Sequence, residues 1–366
     1  MLFNFFWFIM DDKELKIKMY NDPLQFFPAI LNDIKSASKY IYLEIYRFRN
    51  DPIGIRVRDN LINKCREGVK IRLLIDSWGA SSNITFFKDL IELGGEVTFF
   101  KKIRLTWDAF TKNHRRDHRK ILVIDDRITW IGSANISGYA LNWRESMFRI
   151  QGKIAHCFRD VIRDNLKIFN KYFYDKIAYT RKITWEGFEI IRDVPSITFQ
   201  PIQRKFLELI KNAKNEILLE TPYFLPGSNL RKALADAALR GVKVNIIIPK
   251  KSDIHVLDVL AGKYLGELAR ARVNIHFFPS QNLHSKIFMS DRKYFMVGSA
   301  NFDYRSFRYQ HEICLFGEHK SLNRQLLRHF QDSMRSTEPF DYFTWQKRPY
   351  LQRFFEALLV PFRHLF

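Results

Sequence analysis

Two histidines stand in matching frames. His118 is followed by Lys120, Asp125, Gly132, Ser133 and Asn135, and His284 by Lys286, Asp291, Gly298, Ser299 and Asn301, with the same internal spacing in both copies. Near neutral pH an imidazole can attack phosphorus or pass a proton, and an ammonium neutralises phosphoryl oxygens. Cleaving a phosphodiester by a covalent route needs a nucleophile on one side of phosphorus and a proton donor for the leaving oxygen on the other. One copy alone is an incomplete site. Two copies supply both roles.

The elements that must position these groups are legible around them. Histidine and lysine at i and i+2 project to one face of a β-strand. Ile121 to Ile124 form a short β-branched run read as a buried strand, Asp125-Asp126 make a turn, and Ile128 to Ile131 return as a second strand. Gly-Ser-x-Asn then falls at the end of the return strand, where glycine permits close backbone approach. Upstream the pattern predicts helix (Pro23 to Ser38), strand (Tyr40 to Phe48), helix (Ile53 to Arg66), strand (Lys70 to Ile75), helix (Asn83 to Leu93) and strand (Glu96 to Phe100). Such alternation argues a largely parallel sheet between helices.

The second half repeats the order, from helix Ile202 to Ala213 through strand Val273 to Phe277. Gly68-Val69-Lys70-Ile71 matches Gly241-Val242-Lys243-Val244, Tyr42-Leu43-Glu44 matches Leu218-Leu219-Glu220, and Phe99-Phe100 matches Phe277-Phe278. Two long repeats read as a pseudo-twofold pair rather than a solenoid. Pro222 and Pro226 bracket a stiff loop equivalent to Tyr46-Arg47-Phe48, at a strand's C-terminal end, where open α/β sheets place their ligands.

The paired stretches resemble the HKD motifs of the phospholipase D superfamily. The second copy continues Phe302-Asp303-Tyr304-Arg305-Ser306-Phe307 and reaches Glu312, which is similar to the cardiolipin synthase branch, as are Thr221-Pro222-Tyr223-Phe224-Leu225-Pro226, Arg240-Gly241-Val242-Lys243-Val244 and Lys251-Ser252-Asp253. The resemblance covers roughly Met19 to Ser336. It implies an α/β fold of two similar halves, each a mixed, mostly parallel sheet flanked by helices, related by a pseudo-twofold with one shared active site. The implied activity is a phosphatidyltransferase making cardiolipin from phosphatidylglycerol through a phosphohistidine. A phospholipid hydrolase and a nucleic-acid phosphodiesterase use the same machinery and stand as alternatives.

Family precedent favours His118 as nucleophile, with His284 as acid and base. Lys120 and Lys286 neutralise the non-bridging oxygens and Asn135 and Asn301 donate to growing charge. Glu312 and Glu145 orient and polarise their histidines, although Glu145 sits one residue closer to its asparagine than Glu312 does. Asp125 and Asp291 complete the motif set, with pinning of the turn preferred over contact with substrate. Ser133, Ser299, Arg116 and Arg305 are the expected substrate-binding residues. Neither a metal nor another cofactor is expected. Many cardiolipin synthases carry Gly-Gly-x-Asn in the first copy and two transmembrane helices before it. This chain has Gly132-Ser133 and no such helices, so it resembles a shorter type, held peripherally at the cytoplasmic face of the inner membrane.

Composition agrees with a polyanionic partner. Across 366 residues, 60 Lys plus Arg against 39 Asp plus Glu give a net charge of +21, which suits nucleic acid or an anionic membrane. The 34 phenylalanines tilt the balance to a lipid surface over nucleic acid, and the resemblance implies that its anionic phospholipids are phosphatidylglycerol and cardiolipin. No obligate protein partner is expected. Cys65, Cys157 and Cys314 are widely spaced and read as free thiols. The expected organisation is an apolar anchor segment (1–14), a first half (15–180), a connector (181–195), a second half (196–336) and a basic amphipathic tail (337–366). Met1 to Met10 are too short for a bilayer, which needs about twenty residues, and suit an interfacial anchor. The loop Lys101 to Asp117 is dense in positive charge and leads into the first motif. In the tail, Leu351, Phe354, Phe355, Leu358 and Leu359 recur with helical periodicity among arginines, as in a helix docked on the body or lying in a membrane interface.

Overall fold

The computed structural model describes residues 15–79, 82–100, 114–169, 171, 174–280 and 282–361. The apolar segment 1–14, most of the basic loop before the first motif and the last five residues lie outside the described residues.

Each half builds one sheet in the same spatial order. In the first, strands run Lys16–Tyr20, Met147–Gln151, Ile128–Gly132, Lys120–Ile124, Tyr40–Ile45, Lys70–Asp76 and Glu96–Phe100. In the second, the order is Phe188–Asp193, Gln310–Gly317, Tyr294–Gly298, Ile287–Ser290, Glu216–Glu220, Lys243–Pro249 and Asn274–Phe278, with Ile183–Trp185 and Glu338–Pro339 added at the edges. The sheets are mixed, as expected, but along the main path of each sheet parallel pairing is confined to the three strands joined by helical crossovers. The motif hairpins pair antiparallel because a tight turn can only return a strand that way, and the strands flanking them pair antiparallel as well.

The expected connector, 181–195, is instead part of the second sheet. Trp185-Glu186-Gly187-Phe188 makes a hairpin turn with φ of +43° and +86° at its centre. Phe188–Asp193 then pairs with Gln310–Gly317 just as Lys16–Tyr20 pairs with Met147–Gln151. The second repeat therefore begins with this strand, before the helix Pro201–Asn212 that seemed to open it.

Local chemistry explains the elements next to the site. Helices Pro23–Lys35 and Pro52–Arg66 each open with proline in the first turn after an aspartate cap, Asp22 or Asp51, whose carboxylate accepts from free backbone N–H groups. Both motif hairpins turn through two residues with positive φ, Asp125-Asp126 and Asp291-Arg292. The Asp125 carboxylate accepts from the N–H groups of Ser38, Lys39 and Tyr40, and Asp291 does the same for Lys214, Asn215 and Glu216. Each aspartate thus clamps its hairpin to the start of the neighbouring strand.

The halves share a core. Ile121, Val123, Ile131 and Phe148 from one sheet and Ile287, Met289, Phe295 and Ile313 from the other are buried in one cluster, together with Phe158 and Ile162 of helix Ala155–Ile168 and Leu322, Leu326 and Phe330 of helix Lys320–Arg335. At the tail, helix Tyr350–Leu359 docks against helix His255–Arg270. Glu356 is buried there in a bidentate pair with Arg348, and Trp345 donates its indole N–H to the Gly262 carbonyl at 2.7 Å. A Cβ on Gly266 would lie 2.2 Å from the Trp345 ring, so glycine is what admits it.

Candidate active site

The start of each motif strand is stitched to the opposite half. Arg116 and Asp117 bridge in parallel to Gln310 and His311, and the His118 N–H donates to the His311 carbonyl at 3.0 Å. Symmetrically, Arg144 bridges to Leu283, and the His284 N–H donates to the Arg144 carbonyl at 2.9 Å. Residue 312 follows 311 and residue 145 follows 144, so each half delivers its glutamate to the other half's histidine. His118 Nδ1 lies 2.9 Å from Glu312 Oε1, and His284 Nδ1 lies 2.9 Å and 3.0 Å from the two oxygens of Glu145. The acids were expected to serve the histidines of their own copies. The pairing is crossed, and the one-residue offset of Glu145 is absorbed without loss of contact.

The Gly-Ser pair makes room for that carboxylate and holds it. A Cβ at Gly132 would fall 2.1 Å from the Ser146 carbonyl oxygen, and one at Gly298 2.2 Å from that of Ile313, so only glycine allows the strand to pass. Ser133 and Ser299 are fully buried and donate to Glu145 and Glu312, while Ser306 donates to Glu312 at 2.9 Å.

Lys120 Nζ donates to the His118 carbonyl at 2.6 Å, and Lys286 Nζ donates to the His284 carbonyl at 2.9 Å and stands 3.3 Å from His284 Nε2. Aromatic rings flank both imidazoles, Tyr46 at 5.0 Å from His118 and Trp143 at 5.1 Å from His284 between centroids. His118, His284, Asn135, Asn301 and Arg305 line one cavity of about 310 Å³, with Tyr46, Arg47, Trp78, Trp143, Tyr223, Asp253 and Asp303 in its walls.

Burial dominates the electrostatics. It drives Lys120 down to about 7 and Lys286 down to about 8, against the pull of Glu312 and Glu145. It also holds the His118 imidazole well below its ordinary value, reinforced by Lys120 and Lys286. His284 is lowered too, but Glu145 opposes the shift. The acids differ in the same sense. Burial pushes Glu312 up to about 7, whereas for Glu145 the effect of burial is outweighed by His284 and Lys286, leaving its carboxyl below the ordinary value.

The family described as "Cardiolipin synthase, PLD-like domain" matches residues 30–172 and 206–334, both motif copies included. The chain belongs to that family. Among its relatives, the major cardiolipin synthase ClsA of Bacillus subtilis is 31% identical over 349 residues, covering 91% of this chain and 71% of the relative. Cardiolipin synthase 1 of Staphylococcus epidermidis is 32% identical over 356 residues, covering 94% and 72%. The fold is shared with the crystal structure of phosphatidylserine synthase from Haemophilus influenzae, at a TM-score of 0.75 and 15% identity over 96% of this chain and 95% of that one.

Against this family frame, several expected site residues sit elsewhere. Ser133 and Ser299, expected to bind substrate, lie beneath the histidines with their hydroxyls committed to the glutamates. Arg116 is buried beside Asp76 at 3.5 Å and under the Trp78 ring rather than in the cavity wall; its charge answers that of a buried carboxylate. Asp125 and Asp291 are spent on the turns, at the far ends of strands that begin at Lys120 and just after Lys286. Tyr46 and Arg47 belong to a loop legible as a strand's C-terminal end, but Trp143 carries no sequence signal: only the crossed strand brings it over His284.

Proposed function

We propose that the protein is a phosphatidyltransferase that joins two phosphatidylglycerols into cardiolipin and releases glycerol. The observation that carries the reading is the pair of histidines on one cavity, each backed by a carboxylate and a lysine, in a chain whose relatives are named cardiolipin synthases. His118 Nε2 attacks phosphorus, the bond to the glycerol oxygen breaks, and His284 supplies that oxygen with a proton. His284 then takes the proton of a hydroxyl on the second phosphatidylglycerol, whose oxygen displaces His118 as the phosphorus–nitrogen bond breaks. Lys120 and Lys286 meet the negative charge on phosphoryl oxygens, and Asn135, whose Oδ1 already accepts from the Arg47 N–H at 3.1 Å, has its amide nitrogen to offer.

The difference between the histidines supports the roles. An imidazole held well below its ordinary value keeps a lone pair for attack, which suits His118. Burial lowers His284 as well, but Glu145 opposes the shift, so of the two imidazoles His284 is the better placed to hold a proton and act as the acid.

The lipid surface enters through the tail. One side of helix Tyr350–Leu359 is docked, while Tyr350, Leu351, Phe354, Phe355 and Leu358 on the other side are 46–87% exposed. The helix beneath it, His255–Arg270, contributes Leu257 to the cavity wall beside Ile254. Among the described residues no helix is long and apolar enough to cross a membrane. The exposed apolar side of the tail helix supports a body held peripherally at a membrane, which we read as the cytoplasmic face of the cell membrane, cavity towards anionic phospholipid rather than nucleic acid.

Mass spectrometry of lipids after incubation with phosphatidylglycerol vesicles tests the reaction. Cardiolipin and glycerol are expected; phosphatidic acid as main product makes the enzyme a hydrolase, and cleavage of single-stranded DNA without a lipid product makes it a nuclease. Trapping tests the roles. With a nitrophenyl ester, whose leaving group needs no proton, His284→Asn should accumulate a phosphatidyl-enzyme and His118→Asn should not; the reverse pattern exchanges the two.

A further inference from the structure

The catalytic groups obey the pseudo-twofold, but the cavity walls do not. Arg47 of the first half corresponds to Tyr223 of the second, since each lies three residues beyond the matched Glu44 and Glu220. Two residues after the motif asparagines, the first half has Ser137, turned to Asp51 at 3.3 Å, and the second has Asp303, which lines the cavity. The loop after strand Lys70–Asp76 contributes Trp78, and the loop after Lys243–Pro249 contributes Asp253, to which Tyr223 donates its hydroxyl at 2.6 Å. The second half therefore brings two carboxylates into a cavity whose other duty is to bind a phosphodiester anion.

Carboxylates beside an anion need a purpose. Asp303 is 2% exposed, with Oδ1 accepting the Ser306 N–H at 2.7 Å. Asn301, 4% exposed in the same wall, has an Oδ1 with no donor. A phosphodiester has no proton to give these acceptors, so they await hydroxyls or an ammonium. Lys120, Lys286, Arg47 and Arg305 already stand around the site, and a further cation would meet them unfavourably. A neutral polyol would not. The carboxyl of Asp303 is itself pushed by burial up to about 7. Position fits as well: Asp303 and Asp253 are among the carboxylates that oppose the burial-driven lowering of Lys286, which stands 3.3 Å from His284 Nε2. That is the side on which the alcohol oxygen exchanges its proton.

We infer that Asp253, Asp303 and the Oδ1 of Asn301 form a polyol subsite that accepts hydrogen bonds from the free hydroxyls of the glycerol head group, as it leaves and as it enters. The inference rests on the phosphatidyltransferase reading and adds what selects the alcohol. A symmetric catalytic centre gains direction in this way, one wall for the phosphoryl group and one for the alcohol.

The test is the partition of a common intermediate. The full-length protein is given a short-chain phosphatidyl p-nitrophenol, which has no glycerol head group, with equal concentrations of glycerol, 1-propanol and ethanolamine. Nitrophenolate release reports formation of the phosphatidyl-enzyme, and the phosphatidyl products report which alcohol takes it. Glycerol should exceed 1-propanol by about a hundredfold or more, within the range open to a site built to hydrogen-bond a hydroxyl. Asp253→Ala and Asp303→Asn should each lower that ratio by about tenfold, the loss of one charge-assisted hydrogen bond. Asparagine caps a helix as well as aspartate does, so Asp303→Asn keeps helix Tyr304–Tyr309. Asp253 is exposed, and its replacement leaves the fold intact if Asp303→Asn does not fold. Equal use of glycerol and 1-propanol, a ratio unchanged in the variants, or preference for ethanolamine overturns the subsite while leaving the transferase standing. No phosphatidyl transfer to any alcohol overturns both.

Discussion

Glu312→Gln separates two things that Glu312 does for His118. For Nε2 to attack phosphorus, Nδ1 must carry the ring proton and donate it to the carboxylate 2.9 Å away. Burial pushes that carboxyl up to about 7, with Lys120, Ser299 and Ser306 only partly opposing. A protonated Glu312 donates to Nδ1 instead and leaves the ring proton on Nε2, where the lone pair is required. The competent form is the ionised one, present above about 7 and lost as pH falls through it. His118 itself is held well below its ordinary value and titrates further to the acid side. Wild-type kcat/KM should therefore carry an acid limb near 7, with about a tenth of the plateau left one unit below.

Glutamine does not titrate, and its Oε1 accepts from Nδ1–H at every pH, so the limb should vanish. The charge is also gone. A charge-assisted hydrogen bond exceeds a neutral one by about 1 to 1.5 kcal/mol, or about tenfold in rate. The ratio of variant to wild type is the quantity to read, because Lys120 and Lys286 give both proteins a basic limb. It should be about one tenth at pH 8 and approach one at pH 6. Losing Glu312 also deprives Lys120 of support, which deepens the deficit at high pH. Nitrophenolate release from a monodisperse short-chain diester between pH 5.5 and 9 measures it. An acid limb that stays near 7 in the variant, or a ratio as low at pH 6 as at pH 8, refutes the reasoning.

Lys120→Met should abolish turnover yet raise Tm by a few degrees at pH 7 and below, since burial lowers this ammonium to about 7 and the native state must carry the strained charge there. The gain should shrink as pH rises from 7 towards the ordinary lysine value, and a lower Tm at pH 6 in a calorimetric scan contradicts it. In the tail, replacing Phe354, Phe355 and Leu358 with Ser should leave Tm unchanged and weaken binding to phosphatidylglycerol vesicles by a hundredfold or more, because burying about 100 Å² of each exposed side chain contributes about 2 kcal/mol. Glu356→Ala, which strands the half-buried Arg348, should do the opposite, lowering Tm; co-sedimentation run beside a thermal melt separates the faces, and a collapsed Tm in the triple variant sinks the membrane reading.

The motif hairpins were legible because their signal is local: β-branched runs, a two-residue aspartate turn and fixed spacing. So was the repeat, since matched pairs such as Glu44 and Glu220 recur at matching strand ends. Strand Phe188–Asp193 was not. Its six residues mix Glu189, Arg192 and Asp193 with Phe188, Ile190 and Ile191, and their burial depends on a partner more than a hundred residues away. The crossed Glu–His pairing was equally hidden, because spacing along the chain says which residues share a strand end and nothing about which half that end faces. Ser133 and Ser299 read as substrate ligands for the same reason: a short polar side chain beside the histidine looks alike whether it faces the cavity or a buried carboxylate.

The crossing also explains why the halves share a core instead of meeting as two domains at a wet cleft. Glu312 and Glu145 orient histidines that belong to the opposite sheet, so a small sliding of one sheet on the other would misplace both imidazoles at once. Ile121, Phe148, Ile287, Ile313 and Phe330 in one buried cluster resist that motion. Two identical copies of a half could build the same crossed pairs, but both walls of their cavity would then be the same. Fusing the copies in one chain frees Tyr223, Asp253 and Asp303 to differ from Arg47, Trp78 and Ser137 while the histidines, lysines and glutamates stay paired. A reaction whose phosphorus carries a lipid on one side and a changing alcohol on the other has use for that freedom.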